Sequence, residues 1–428
     1  MKWLRKIKLL ILVPTMELGG MELCTSFLLS HLNRELFEIE LVMVFDRQSY
    51  FEIPSHVRVH VLEKAGLTND TELTVQPSIA VSEKNRDSLI WLETTALNLA
   101  ALVRTLQPDL ILAQHVLASA VSLLAKRHIR STIKIIASVH NFSSRFLEIV
   151  PYGELYALLL RRHLREADAV VAIGQGIAND LIMNFDVDRT QVRVIYNPFD
   201  YERVRKLSTE SLLENRFFLD GVPNILFVGG LRPEKGLEYL LQAIALSRRL
   251  QRLRCVIIGE GERRTELEEL AKQLGISSDT FFLGRRPNAF KYMRAASCFV
   301  LPSLVEGYPY VVLEAMACGC PVIASESGPD VQELLGYGQR GLLVPARDPE
   351  AISDAIQRIV SDTNLRENMI EAGKSHIEKF TPISAVAQYE ALMKAVVRSG
   401  LVRRSLDVLS WLTRRHLPGF RRAKADRS

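Results

Sequence analysis

The densest chemistry in the sequence lies in one segment, Ser303-Leu-Val-Glu-Gly-Tyr-Pro-Tyr-Val-Val-Leu-Glu-Ala-Met-Ala-Cys-Gly319. Pro309 suits the first turn of a helix and Gly319 its end. Between them, Tyr310 to Cys318 is apolar except for Glu314. A carboxylate buried unpaired in such a helix is strongly unfavourable. Glu314 must therefore meet a cation, face a cleft or accept donors from a ligand, and a ribose diol offers two hydroxyls to one carboxylate. An ion pair to Lys or Arg is the plain alternative. Glu306 precedes the helix, and Gly307 beside it lets the backbone turn closely. The N–H groups at the helix start, around Tyr310 to Leu313, lack helical partners and suit a diphosphate. A carboxylate for sugar hydroxyls, a phosphate cradle and a carboxylate for ribose make a nucleotide-sugar constellation.

A second element is Phe227-Val-Gly-Gly-Leu-Arg-Pro-Glu-Lys-Gly236, which reads as a strand, a glycine turn at Gly229, and Arg232 and Lys235 ahead of a helix. Two cations at this spacing can flank a diphosphate and stabilise its charge as it departs. Charged strand–helix loops also occur in proteins that bind no phosphate. Gly19 and Gly20 follow the first apolar run, where backbone can approach phosphate or sugar without a side-chain clash. Such pairs elsewhere only make turns. His140 closes the run Ile133–Val139, at the strand end where sites form. The polar, aromatic loop Asn141-Phe-Ser-Ser-Arg-Phe146 follows it and offers Asn141 and Arg145 on the acceptor side.

Those groups need elements to hold them. The chain has 428 residues, 48% apolar and 24% charged, which fits two globular domains and excludes extended disorder or a collagen-like repeat. The apolar runs Ile7–Pro14, Ile39–Phe45, Val57–Leu62, Asp109–His115, Ile133–His140, Ala169–Ile173 and Val192–Tyr196 predict strands. Helical patterns lie between most of them, at Met21–Arg34, Leu89–Leu106, Val116–His128, Tyr152–Glu166 and Gly176–Asn184. After a polar stretch from Asn197 to about Asp220, strands resume at Asn224–Val228, Cys255–Ile258, Thr280–Leu283, Cys298–Leu301, Val322–Ser325 and Leu342–Pro345. Continuous Val/Ile/Leu runs, not alternating ones, predict parallel sheets covered on both faces. The fold expected is α/β, with two tandem doubly wound, Rossmann-like domains facing a ligand cleft. Gly66 to Asp87 breaks the rhythm and reads as a disordered loop or an acceptor-side flap.

Taken together, these elements resemble the family 4 (group 1) retaining glycosyltransferases of GT-B fold, from about Ile7 to Glu390. Glu306 and Glu314, with the following Gly319-Cys-Pro-Val-Ile-Ala324, match that family's most specific motif. Arg232 and Lys235 look like its paired phosphate-binding cations, and Gly259-Glu-Gly261 like its second glycine turn. Phe282-Leu-Gly284 precedes the segment that contacts the base, which includes Arg285. His140 matches the histidine lining the reaction centre. The donor site so implied comprises Gly19, Gly20, Gly229, Arg232, Lys235, Gly259, Gly261, Gly284, Arg285, Glu306, Gly307, Tyr308, Tyr310, Val311, Val312 and Glu314. Two positions depart from the pattern: Glu22 is followed by Leu23 where the family often has Arg, and the linker begins Tyr196-Asn-Pro-Phe-Asp200 where many members have Asn-Gly. The Asn-Pro form looks like the subset using UDP-linked hexoses or N-acetylhexosamines. The expected division is an acceptor-side domain over 1–200, a linker over 201–222, a nucleotide-sugar domain over 223–380, a helix over 381–400 crossing back to the first domain, and a basic tail over 401–428.

The resemblance implies transfer of a sugar with retention from a nucleotide sugar to a glycan or lipid-linked acceptor in glycoconjugate synthesis. Arg232, Lys235 and the helix start would stabilise the leaving diphosphate, while Glu306 orients sugar hydroxyls. No metal and no cofactor beyond the nucleotide sugar is expected. Asp186-Val-Asp188 sits in a polar connection and reads as a solvated loop; Gly174-Gln-Gly176 lacks the remaining residues of a dinucleotide fingerprint. Two alternatives are a sugar-nucleotide 2-epimerase and a catalytically silent sugar-nucleotide-binding subunit. Five scattered cysteines without a Cys-x-x-Cys pair give neither a zinc site nor a disulfide framework and suit a reducing cytoplasm. The run Leu9–Val13 is too short for a signal core, and no uninterrupted apolar stretch reaches membrane-spanning length. From Arg398 onward, nine Lys or Arg and two Asp give +7 of the net +5, so the preceding residues sum to −2. A near-neutral body does not suit nucleic acid. Leu401–Leu417 is amphipathic at helical spacing and either lies on an anionic membrane or docks on its own domain. The Arg161-Arg162-His-Leu-Arg165 cluster reads as a solvated helix face or as an extension of that basic surface. A cytoplasmic enzyme peripheral to the membrane is the expectation.

Overall fold

The computed structural model describes residues 5–17, 19–63, 83–129, 132–149, 153–212, 218, 220–378 and 380–416. The apolar runs form two parallel sheets. The first contains β1 (Ile7–Val13), β2 (Phe37–Met43), β3 (Arg58–Val61), β4 (Leu110–Gln114), β5 (Lys134–Val139), β6 (Ala169–Ala172) and β7 (Val192–Val194), in the order β3-β2-β1-β4-β5-β6-β7. The second contains β8 (Asn224–Val228), β9 (Arg254–Ile258), β10 (Thr280–Gly284), β11 (Cys298–Leu301), β12 (Val322–Ser325) and β13 (Leu342–Val344), in the order β10-β9-β8-β11-β12-β13. In each, the winding reverses once, between β1 and β4 and between β8 and β11. Crevices for ligands open at such points, beyond the carboxyl ends of the strands.

β1 shows why these strands read as unbroken apolar runs. Leu10 and Leu12 enter a core shared with the second domain, while Ile7, Leu9, Ile11 and Val13 enter a core on the opposite face. That second core is completed by Val386, Tyr389, Met393 and Val396, from the helix Pro382–His416. The carboxyl-terminal helix therefore packs on the first domain.

The structure differs from the sequence expectations in three places. The segment after Asn141 is not wholly a loop, because Ser143–Ile149 forms a short helix. The polar stretch after Asn197 contains the helix Tyr201–Ser208, capped by Asp200 accepting from the Arg203 N–H at 3.0 Å. It docks on the helices Phe290–Ala295 and Tyr310–Ala317, so this part of the linker is held to the second domain. Asp87 belongs to the helix Glu83–Leu106, while 66–82 lie outside the described residues. By length and mean hydropathy Arg86–Leu106 could cross a membrane, although Glu93, Asn98 and Arg104 interrupt its apolar residues. Here it is a core helix, with Leu89, Leu92, Ala96, Leu99, Ala100 and Val103 buried in the first domain. The side chains of the amphipathic stretch Leu401–Leu417 lie outside the described residues.

Candidate functional site

The loops after β8 and β11 are neighbours because those strands pair. The Leu304 N–H donates to the Glu234 carbonyl at 2.8 Å, which ties the two loops together. This brings Lys235 Nζ to 2.6 Å from Glu306 Oε1, and the buried Ser303 hydroxyl donates to the same oxygen at 2.6 Å. Glu306 Oε2 has no partner among the described residues. Arg232 Nε pairs with Glu234 at 2.9 Å but leaves its guanidinium 59% exposed. Asn141 and Phe142 from the first domain close a cleft with Arg232, Glu234, Lys235, Val305, Glu306 and Gly307. The domains touch at its edge: a Cβ on Gly307 would lie 2.5 Å from the His140 carbonyl oxygen, so only glycine fits. A cleft that sets two cations beside two carboxylates, with one Glu306 oxygen unpaired, offers contacts to a diphosphate and to a polyhydroxylated group.

Glu314 lies on the helix Tyr310–Ala317, partly buried. No cation comes within ion-pair distance of it among the described residues, which excludes the structural ion pair there. Burial pushes its carboxyl up to about 7, and Arg203 opposes that rise. The helix start has no side-chain cap. The Val312 N–H is taken up by the Pro309 carbonyl at 3.1 Å, which corrects the expectation that it is open for phosphate. The N–H groups of Tyr310 and Val311 have no partner among the described residues. Gly19 is the N-cap of the helix Gly20–His31, and a Cβ on Gly20 would come within 2.7 Å of the Tyr310 ring. The first-domain glycine pair thus abuts the helix that carries Glu314.

His140 follows β5 and is buried. Its Nε2 lies 2.7 Å from Gln114 Oε1 and 3.1 Å from Ser138 Oγ, while Nδ1 has no partner. Burial, reinforced by His115, presses its pKa down to about 3, so the ring is neutral at pH 7. A neutral imidazole can exchange hydrogen bonds with sugar hydroxyls but adds no charge to a phosphate site.

The other predicted residues separate into supports and outliers. Gly259 adopts φ +145°, and a Cβ there would lie 1.8 Å from the Gly229 carbonyl oxygen; one on Gly261 would lie 2.3 Å from that of Leu231. These glycines let the loops after β8 and β9 pack on each other. Gly284 (φ +71°) ends β10 and its carbonyl accepts from the Gly259 N–H at 3.0 Å; the exposed Arg285 follows it, and neither is among the residues lining the cleft described above. Arg145 is exposed beside Glu148 and does not line the cleft. The Tyr308 side chain is buried in an aromatic cluster with Tyr196 and Phe380, and the Tyr310 hydroxyl donates to the Pro198 carbonyl at 2.6 Å. Val311 is partly buried and Val312 fully buried on the same helix.

Three residues escaped the sequence reading. Ser303 positions Glu306, and its place three residues ahead of that carboxylate was the available signal. His115 follows β4 as the N-cap of the helix Val116–Lys126, with φ +96° and ψ 156°, a strained backbone for a side-chain-bearing residue, and its Nδ1 accepts from the Leu117 N–H at 3.2 Å. Asp330 is buried between the domains, accepting from the N–H groups of Gly176 and Ile177 at 2.6 and 2.9 Å. A Cβ on Gly174 or Gly176 would strike Asp330 or the adjacent Pro329, which accounts for that glycine pair without a dinucleotide. Asp186 and Asp188 are exposed, Asp188 accepting from Thr190 within its own turn.

Comparison with known proteins bears on the same regions. Residues 18–203 match the model of glycosyltransferase family 4, and residues 210–376 that of the glycosyl transferases group 1. The chain is 26% identical to the N-acetylgalactosamine-N,N'-diacetylbacillosaminyl-diphospho-undecaprenol 4-alpha-N-acetylgalactosaminyltransferase of Campylobacter jejuni, over 88% of this chain and 96% of that protein. It is 36% identical to the D-inositol 3-phosphate glycosyltransferase of Corynebacterium jeikeium, over 53% of this chain and 57% of that one. Among solved structures, the Anabaena protein HepE in complex with UDP aligns over 91% of this chain and all of that one, with 21% identity and a TM-score of 0.69. A sucrose-phosphate synthase from Thermosynechococcus elongatus aligns over 92% of this chain and all of that one, with 19% identity and a TM-score of 0.74.

Proposed function

Because the chain belongs to the group 1, family 4 glycosyltransferases and has their GT-B fold, we propose that it moves a hexose or N-acetylhexosamine from a UDP-sugar to a lipid-linked glycan acceptor, with retention at the anomeric carbon. The observation that carries this is the cleft, where Arg232, Lys235 and Glu306 of the second domain face Asn141 and Phe142 of the first. Arg232 and Lys235 neutralise the departing diphosphate, and the open N–H groups of Tyr310 and Val311 add donors. A phosphate entering beside Lys235 competes for its charge and frees Glu306 to take sugar hydroxyls. Glu314 takes the ribose diol. The acceptor hydroxyl attacks on the face from which the diphosphate leaves, and a departing phosphate oxygen takes its proton. Closure of the domains excludes water.

The choice of UDP draws support from the complex of HepE with that nucleotide. A lipid-linked acceptor and an N-acetylhexosamine draw support from the name of the Campylobacter relative. The relatives are transferases and synthases, which does not favour the 2-epimerase or a silent binding subunit. The enzyme works without a metal, on the cytoplasmic face of the membrane. Calorimetric titration with UDP, GDP and ADP, with and without EDTA, tests the donor assignment. UDP should bind most tightly and EDTA should change nothing. Loss of UDP binding in EDTA would overturn the metal-free site, and absence of nucleotide binding would overturn the donor site itself.

A further inference from the structure

We propose that Tyr389, on the helix that returns from the second domain, is a positioning residue that fixes the His140 ring at the first-domain wall of the cleft. The inference rests on the glycosyl-transfer reading of that cleft. His140 immediately precedes Asn141, which lines the cleft, and its carbonyl faces Gly307. What holds its ring is one nitrogen: Nε2 meets Gln114 Oε1 at 2.7 Å and Ser138 Oγ at 3.1 Å. Gln114 ends β4, Ser138 lies near the end of β5, and both are fully buried. The Tyr389 hydroxyl lies 3.3 Å from Ser138 Oγ, with the Gln114 amide and the Cys24 thiol as its other polar neighbours. One fully buried phenol therefore contacts Ser138, one of the two groups that hold Nε2, and lies near the other, Gln114.

The polarity of the contact follows from donor chemistry. A carboxamide oxygen only accepts, so with Gln114 Oε1 toward the ring, Nε2 carries the proton and Nδ1 is the basic nitrogen. Nδ1 is buried without a protein partner. Were the ring free to turn, Nδ1 could satisfy itself on Ser138 or Gln114, since an unpaired buried acceptor is costly. Tyr389 opposes that turn by engaging Ser138 from the far side and crowding the Gln114 amide. The ring stays as the Nε2–H tautomer, with Nδ1 left as its unpaired acceptor. Val386, Met393 and Val396, packed in the first-domain core on the same helix, fix where the phenol sits. A helix that begins beyond the donor domain thereby sets the imidazole on the acceptor side.

The test uses the full-length protein labelled with 15N-histidine, with His140 assigned by its loss in His140→Gln. Wild type should show His140 as the Nε2–H tautomer at neutral pH. Tyr389→Phe keeps the aromatic ring and removes the hydroxyl, and Ser138→Ala removes the link; each should shift His140 towards mixed tautomers. In steady-state transfer each should lower kcat about tenfold, with donor KM and UDP affinity unchanged within about twofold. The double variant should be no worse than the poorer single one, because both break the same chain of contacts. Identical His140 spectra in wild type and Tyr389→Phe would overturn the proposal, as would a kcat loss accompanied by an equal rise in donor KM. If the wild type transfers no sugar, the glycosyl-transfer reading fails, while the imidazole spectra still decide whether Tyr389 positions the ring.

Discussion

At the scale of single residues, Glu314, proposed above to take the ribose diol, shows how such a group would work against the stability of the empty protein. Its carboxyl is pushed up to about 7 by burial, against an ordinary value near 4.5. The folded chain keeps the proton to a higher pH than the unfolded chain does. This residue's contribution to stability is therefore fully present below about 4.5 and is lost as the pH rises to about 7. A ribose diol donating to the carboxylate reverses the preference and favours the charged form. UDP binding near pH 7 should accordingly release protons, visible as a dependence of the calorimetric enthalpy on the ionisation enthalpy of the buffer. Glu314→Gln should abolish that dependence and weaken UDP by about 1–3 kcal/mol, the scale for a hydrogen bond to a charged group. Unchanged affinity in this variant would remove Glu314 from the ribose site. Lys235 and Glu306 behave differently: they hold each other at 2.6 Å, and a ligand must reorganise them to use either.

At the scale of elements, the junction between domains depends on a carboxylate from one domain meeting a helix start in the other. Asp330 accepts from the first N–H groups of the helix Gln175–Asn184, and burial pushes its carboxyl up to about 6. Asp330→Ala leaves the N–H groups of Gly176 and Ile177 without an acceptor and should cost about 0.5–2 kcal/mol, the range for a lost helix cap. Asp330→Asn should recover most of it, since its carboxamide oxygen still accepts. Thermal unfolding of the two variants checks this, and an alanine variant melting at the wild-type temperature would show that the contact stabilises nothing. The sequence could not disclose this pair, because its partners lie 154 and 153 positions apart and neither residue type is unusual in its own segment. The strands were legible for the opposite reason: a parallel strand covered on both faces is apolar over most of its length, as Leu9–Val13 in β1, Leu110–Ala113 in β4 and Ile135–Ala137 in β5 are. Helix Tyr201–Ser208 was obscured because Val204 and Ser208 are its only buried residues, so it reads as a charged linker. Of the site, Glu306, Lys235 and Arg232 were legible from residue type and spacing beside glycines. The hold of Ser303 on Glu306 and the Gln114–Ser138–Tyr389 contacts depend on strand pairing and helix docking that spacing alone does not encode.

At the scale of the whole molecule, charge and connectivity point the same way. The helix Pro382–His416 is pinned to the first domain through Val386, Tyr389, Met393 and Val396 before it enters the basic tail. The basic tail therefore follows in sequence directly on a stretch of helix packed against the first domain. Truncation after Gly400 removes eight Lys or Arg and two Asp, which takes the net charge from +5 to −1. Each basic residue near an anionic membrane contributes about 1 kcal/mol, and salt screens that attraction within about 10 Å at 0.1 M. The intact chain should therefore bind vesicles rich in anionic lipid at low ionic strength and release them as salt rises. The truncated chain should bind weakly at every salt concentration. Its UDP affinity should equal that of the intact chain, because Arg232, Lys235, Glu306 and Glu314 all lie in the second domain, outside the deleted segment. Equal vesicle binding by both chains would show that the tail is no anchor. A loss of UDP affinity on truncation would mean that the tail reaches the donor domain, and that the returning helix links the two domains more closely than its packing on the first domain requires.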